Sequence, residues 1–118
     1  MNNIDLYHIE SDNNDMYKHM LDLTITNHRD ILDKYKLKLS TNPDQVRLKI
    51  IKNIISNSWI DYENNYNLIM DKYNDYKSFD KKRYKSQINE INNIANEYLF
   101  LIDTIDKLLK IWVNRLTQ

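Results

Sequence analysis

Apolar side chains return along this 118-residue chain at steps of three and four. The run is cleanest towards the C-terminal end, where Tyr84, Ile88, Ile91, Ala95, Tyr98, Ile102, Ile105, Leu109, Trp112 and Leu116 follow one another at alternating steps of four and three. A helix places such positions on one face, whereas a strand alternates with period two. Ile94, Leu101 and Leu108 form a second row beside this seam, and Leu99 and Val113 widen the stripe on the other side. A stripe of that width faces two neighbours rather than one.

The middle of the chain repeats the pattern with Leu48, Ile51, Ile55, Trp59, Tyr62, Tyr66, Ile69, Tyr73 and Tyr76, broken by a single stutter near Trp59. Its start carries helix signals: Asn42 to cap, Pro43 for the first helical position, Asp44 and Gln45 in the first turn, the Gln placed as a capping-box partner. The first segment is less regular. Ser11 or Asp12 can cap a helix carrying Tyr17, Met20, Leu21, Thr24, His28, Ile31, Leu32, Tyr35 and Leu39, but residues 24–30 interrupt its apolar face. This predicts either one bent helix or two short ones. Between the second and third seams only Ser78-Phe79-Asp80 offers caps. Without a turn there, residues 43–117 would make one helix of about 110 Å at about 1.5 Å per residue.

The pattern therefore predicts an all-α chain, an antiparallel three-helix bundle with long coiled-coil-like helices near 12–40, 43–78 and 80–117. A four-helix bundle with the first segment split is the alternative. Residues 1–11 are read as an N-terminal extension, whose Ile4, Leu6 and Ile9 can dock on the bundle or on another subunit, and 12–118 as a single helical-bundle domain. Helix is expected to exceed about 70% of residues, well above the usual third.

Composition removes several chemistries. The chain has no Cys and no Gly. Disulfides, thiolate catalysis and Cys-ligated metals are excluded, and so are the glycine loops that cradle phosphates or form nucleophile elbows. Asn (17) and Ile (16) dominate while Ala and Pro occur once each, a bias that A/T-rich codons produce. It points to an AT-rich genome, a large DNA virus being one such source. Seventeen basic and seventeen acidic groups cancel, which argues against gross electrostatic binding to nucleic acid or anionic lipid. No apolar run is long enough to span a bilayer, and residues 1–11 have no apolar block of the secretory kind, so a soluble cytoplasmic protein is expected, in host cytoplasm or virion if viral.

Candidate chemistry is sparse. His8, His19 and His28 form no pair at metal-ligand spacing, and neither metal nor cofactor is expected. His28 falls on the apolar face, where a hydrogen-bonded core imidazole is expected. Asp15 with His19, Asp71 with Asp75, and Asp103 with Asp106 are read as solvated charges. The octet from Ile102 to Leu109 resembles the opening of the first helix of the helical chorismate mutases, but it stands here in the last helix, and Leu99 occupies the place of that family's essential arginine. The octet is accordingly read as a product of the heptad.

Two surfaces carry the functional expectation. Tyrosine combines a large ring with a hydroxyl and is favoured at interfaces, so Tyr62, Tyr66, Tyr73, Tyr76, Tyr98 and Trp112 are the candidate interaction surface. Lys81, Lys82, Arg83 and Lys85, with Tyr84 interleaved, form the one basic cluster and the candidate phosphate contact. The function read from these residues is non-enzymatic: a helical protein–protein interaction or structural assembly module, binding a protein partner or itself as an oligomer, and in a viral setting a structural or host-factor-binding protein. A nucleic-acid-binding accessory protein using the corner at 81–85 is the alternative.

Overall fold

The computed structural model describes the backbone of residues 3–75 and 82–117 and the side chains of residues 16–74 and 82–115. Nearly all of the described residues lie in three helices, and no strand occurs among them. They are α1 (Asn3–Leu39), α2 (Gln45–Asp75) and α3 (Lys85–Thr117). They run up, down and up as an antiparallel three-helix bundle, a rod of 75 × 21 × 21 Å.

α1 is a single helix, so the split that would make a fourth helix does not occur. The polar stretch at 24–30 is absorbed: Thr24 and His28 turn into the core while Asn27 and Asp30 stay outside. α1 also starts earlier than the expected residue 12, since residues 3–11 continue the same helix.

The turn into α2 shows how a chain without glycine changes direction. Asn42 takes a left-handed backbone with φ 53°, a conformation that Asn tolerates better than other side-chain-bearing residues. Just before it, Ser40 and Thr41 close the end of α1 through hydrogen bonds from their N–H groups to the carbonyls of Lys36 (3.1 Å) and Lys38 (3.3 Å). The cap of α2 is then Asp44, not Asn42. Its Oδ1 accepts the Arg47 N–H at 2.8 Å, and its carbonyl accepts the first helical bond from Leu48 at 2.9 Å. With its backbone committed to the turn, Asn42 is too far out to cap. The second turn lies partly outside the described residues, including the expected caps Ser78 and Asp80; residues 82–84 form its end.

α3 packs against both other helices, and more extensively than they pack against each other. That answers the breadth of its stripe and corrects its centre line. Ile94 and Leu101, expected as the flanking row, are buried, while Ala95 and Ile102 are half-buried. A helix wedged between two partners turns the line between its two rows inwards. Around it the core collects Tyr17, Leu21 and Leu32 from α1, Ile51, Ile55, Tyr62 and Ile69 from α2, Tyr84 from the turn before α3, and Ile88, Ile91, Tyr98 and Ile105 from α3.

Candidate functional site: a bonded aromatic centre and an open cleft between α1 and α2

Halfway along the rod the core is aromatic and polar. Helical spacing brings His28 of α1, Tyr62 of α2 and Tyr98 of α3 to one level. The rings of His28 and Tyr62 lie 4.8 Å apart edge to face, those of Tyr62 and Tyr98 5.4 Å apart. Trp59, at the stutter, closes the stack at 5.8 Å from Tyr98 and 6.0 Å from Tyr62. Such contacts add to the area that the rings bury.

Each hydroxyl in this centre has a partner. The Tyr98 hydroxyl meets His28 Nδ1 at 2.6 Å, joining α3 to α1. Tyr62 donates to the carbonyl of Ile91, and Tyr66 to Asn92 Oδ1 at 2.9 Å, both joining α2 to α3. Nearer the other end, Tyr17 donates to the Ile69 carbonyl at 3.2 Å, joining α1 to α2. On the α1/α3 side Arg29 forks to Glu90 and Glu97, and Lys36 also bonds Glu97. Burial works against the Glu97 carboxylate, but Lys36 and Arg29 outweigh it and hold its pKa below the usual value.

Tyr17, Tyr62 and Tyr98 are locked in the protonated form. Burial, eased by a hydrogen bond with Ser58 and reinforced by the Asp61 charge, sets Tyr98 at about 12. Burial, with Tyr73 and Tyr84 adding to it, sets Tyr17 at about 12, and burial likewise raises Tyr62. These groups hold the fold rather than exchange protons near neutrality.

His28 is the exception. It is only 8% exposed, and burial, partly opposed by the Asp61 carboxylate, pushes its pKa below the ordinary 6.5. The folded protein therefore favours the neutral ring. Below pH about 6.5 the unfolded chain takes up the proton first, so stability is lost as pH falls from there towards the lower folded-state value. The melting temperature of the wild type is expected to drop between pH 7 and about 5, while His28→Gln, whose amide can still meet Tyr98, should give a flatter profile over that interval. An equally steep fall in the variant would refute His28 as the cause.

The geometry redistributes the residues singled out from sequence. Tyr62 and Tyr98, expected at an interaction surface, are fully buried with their hydroxyls engaged inside the monomer, so neither ring is presented to another molecule. Tyr66 and Tyr73 are half-buried against the same core. Trp112 is half-buried near the end of α3 beside Leu48 and Pro43, and Tyr76 lies outside the described residues. At the basic corner Lys82, Arg83 and Lys85 are exposed and Lys81 lies outside the described residues. Tyr84 is buried against Tyr17 at 5.7 Å edge to face. It cannot stack on a base, which removes the aromatic half of the expected nucleic-acid contact. The corner and the tyrosine centre sit apart and form no common site.

Sequence periodicity missed a different feature. Because α1 and α2 touch each other least, a cleft runs between them. Near the turn at 40–44 it is a hollow of about 380 Å³ floored by Tyr35, Ile50, Ile51 and Ile54 and edged by Lys38 and Arg47. Further along, a second hollow of about 360 Å³ is lined by Met16, Met20, Leu23 and Asn65, with His28 at its base. Val46, Ile50 and Ile54 share one face of α2 and are 67%, 53% and 36% exposed; Met16 and Leu23 on α1 are 69% and 46% exposed. The signal was in the sequence, since these positions are offset from the seam of their own helices yet apolar. No group of His, Asp and Glu suited to a metal ion occurs among the described residues, and no helix among them is long and apolar enough to cross a membrane.

No known protein family, curated protein or solved structure matches this chain.

Proposed function

We propose that the protein is a non-enzymatic helical interaction module that binds another polypeptide along the α1/α2 side of the rod. One observation carries this reading. Large apolar side chains line two hollows between α1 and α2, Ile50 and Ile54 of α2 in one and Met16 and Leu23 of α1 in the other, and stay open to solvent in a bundle whose interior is already complete. Single exposed apolar residues are ordinary, but several of them gathered beside a groove mark a binding surface. A groove between two antiparallel helices has the shape that a further helix fills by ridge-and-groove packing. The ionisable groups of the centre support a structural role as well, being engaged with one another across helices. An assembly subunit or a host-factor binder of viral origin is the setting that the AT-rich composition favours.

The test is a photo-crosslinking residue placed at Ile54, in the cleft, and separately at Asn96, on the outward side of α3. Protein adducts at position 54 and none at 96 are expected. Equal yields at both positions, or none at 54, would end the reading.

A further inference from the structure

The hollow near the turn has a charge as well as a shape. Tyr35 of α1 and Ile50, Ile51 and Ile54 of α2 make its floor, Lys38 edges it from α1 and Arg47 from α2, and no acid lines it. Among the described residues neither cation pairs with a carboxylate side chain. No acid stands within one turn of Lys38 on α1, and the residue four before it is Lys34. The two lysines share the Tyr35 ring, at 5.5 and 5.3 Å, and like charges at that spacing repel one another. Arg47 has Asp44 three residues before it, but Oδ1 of that carboxylate is engaged as the cap of α2. The result is an apolar floor with a cation on each edge and no internal counter-charge.

Shape separates the anions that such a rim attracts. A bilayer surface takes up apolar side chains that protrude, whereas these lie at the bottom of a hollow with the cations at its edges. A single-stranded nucleic acid stacks its bases on free rings, whereas this floor is mostly aliphatic and Tyr35 is buried beneath two lysines. A helix whose apolar ridge is flanked by carboxylates on both sides matches every feature. The ridge fills the floor, and the flanks meet Lys38 on one side and Arg47 on the other. Ile50 and Ile54 stand one turn apart along the floor, about 6 Å at about 1.5 Å per residue, which is the interval at which such a ridge repeats.

We propose that this hollow receives an acidic amphipathic helix of another protein, its apolar ridge on Ile50 and Ile54 and its carboxylates against Lys38 and Arg47. This rests on the reading of the α1/α2 cleft as the binding face and gives the chemistry of its partner. The floor supplies the area removed from water. The two cations set the orientation of the guest and turn away basic helices of the same shape, since a like charge brought to either edge is repelled.

The experiment uses the full chain and two designed helical peptides of equal length, each with a ridge of leucines at alternating steps of three and four. One carries glutamate on both flanks of the ridge, the other lysine. In fluorescence anisotropy at about 20 mM salt the wild type should bind the glutamate peptide about tenfold or more tighter than the lysine peptide, and the gap should narrow at about 500 mM. Lys38→Glu with Arg47→Glu, both at exposed positions, should retain helical circular dichroism and reverse the preference. Ile50→Ser removes part of the floor and should weaken the glutamate peptide about tenfold. Equal binding of the two peptides, binding of neither, a preference that the charge reversal leaves in place, or no effect of Ile50→Ser would overturn the proposal. Phosphatidylserine vesicles or a single-stranded oligonucleotide bound more tightly than the glutamate peptide, or a wild-type dimer in sedimentation that the charge reversal dissociates, would give the hollow to another occupant and overturn it as well. Protein adducts at position 54 alongside equal binding of the two peptides would leave the broader reading standing while removing this one.

Discussion

Ile105→Asp is expected to abolish the cooperative fold, while Asp103→Ala, two residues away, is expected to leave it almost unchanged. Ile105 is fully buried among the apolar residues of the core. A carboxylate there would face no compensating cation, and burying one unpaired is among the few changes that exceed about 4 kcal/mol. Domains of this size are stable by about 5–15 kcal/mol in total. Asp103 instead points to solvent and pairs with Lys107 at 2.9 Å one turn on. An exposed pair of that kind contributes about 0.3–0.5 kcal/mol, which alanine's better helix propensity offsets. Urea titration followed by circular dichroism measures both. Similar midpoints for the two variants would show that the face of α3 turned to the core had been misjudged.

Tyr62 carries the second large effect. Its ring touches His28, Trp59, Tyr66 and Tyr98, so it belongs to the contact surface of every helix. Tyr62→Ala opens a cavity at the centre of the rod and should cost about 3–5 kcal/mol. Tyr62→Phe keeps the ring and gives up only the bond to the Ile91 carbonyl, an acceptor within α3 that retains its helical partner, and should cost about 1 kcal/mol. A chemical-denaturation series of the three proteins reads the difference. If Phe proved as harmful as Ala, the hydroxyl rather than the stack would be holding the middle of the bundle.

The two effects show which parts of the structure were visible beforehand. The all-helical class and the packing of long rods were legible because apolar spacing of three and four belongs to the α-helix, whereas whether the first segment made one helix or two was not. His28 was legible as a core imidazole because it falls on that spacing. The depth of individual positions was not. Ile94 and Ala95 are adjacent, and only the direction from which α1 and α2 approach decides which is covered. Tyr62 and Tyr98 were placed at the surface for a related reason. Composition shows that a phenol needs a partner for its hydroxyl, but the partners here are carbonyls and an imidazole on other helices, far away in sequence. Tyr62 and Ile91 are 29 residues apart, Tyr17 and Ile69 52 apart. The cleft was hidden because an apolar residue off the seam, such as Ile50 or Leu23, looks like noise until the neighbouring helix is seen to leave it uncovered.

The bonds between side chains of different helices also bear on alignment. A repeat of seven cannot by itself distinguish one alignment of two rods from another displaced by a heptad, about 10.5 Å along the axis. Either setting matches grease with grease. A phenol that must find one particular side chain breaks the tie. Sliding α1 along α3 by one repeat would part His28 from the Tyr98 hydroxyl, and sliding α2 along α3 would part Tyr66 from Asn92. The polar tips inside the rod thus work like the teeth of a vernier. Leucines in their place would supply adhesion without a preferred notch, and the chain would be left to choose among several equally oily settings.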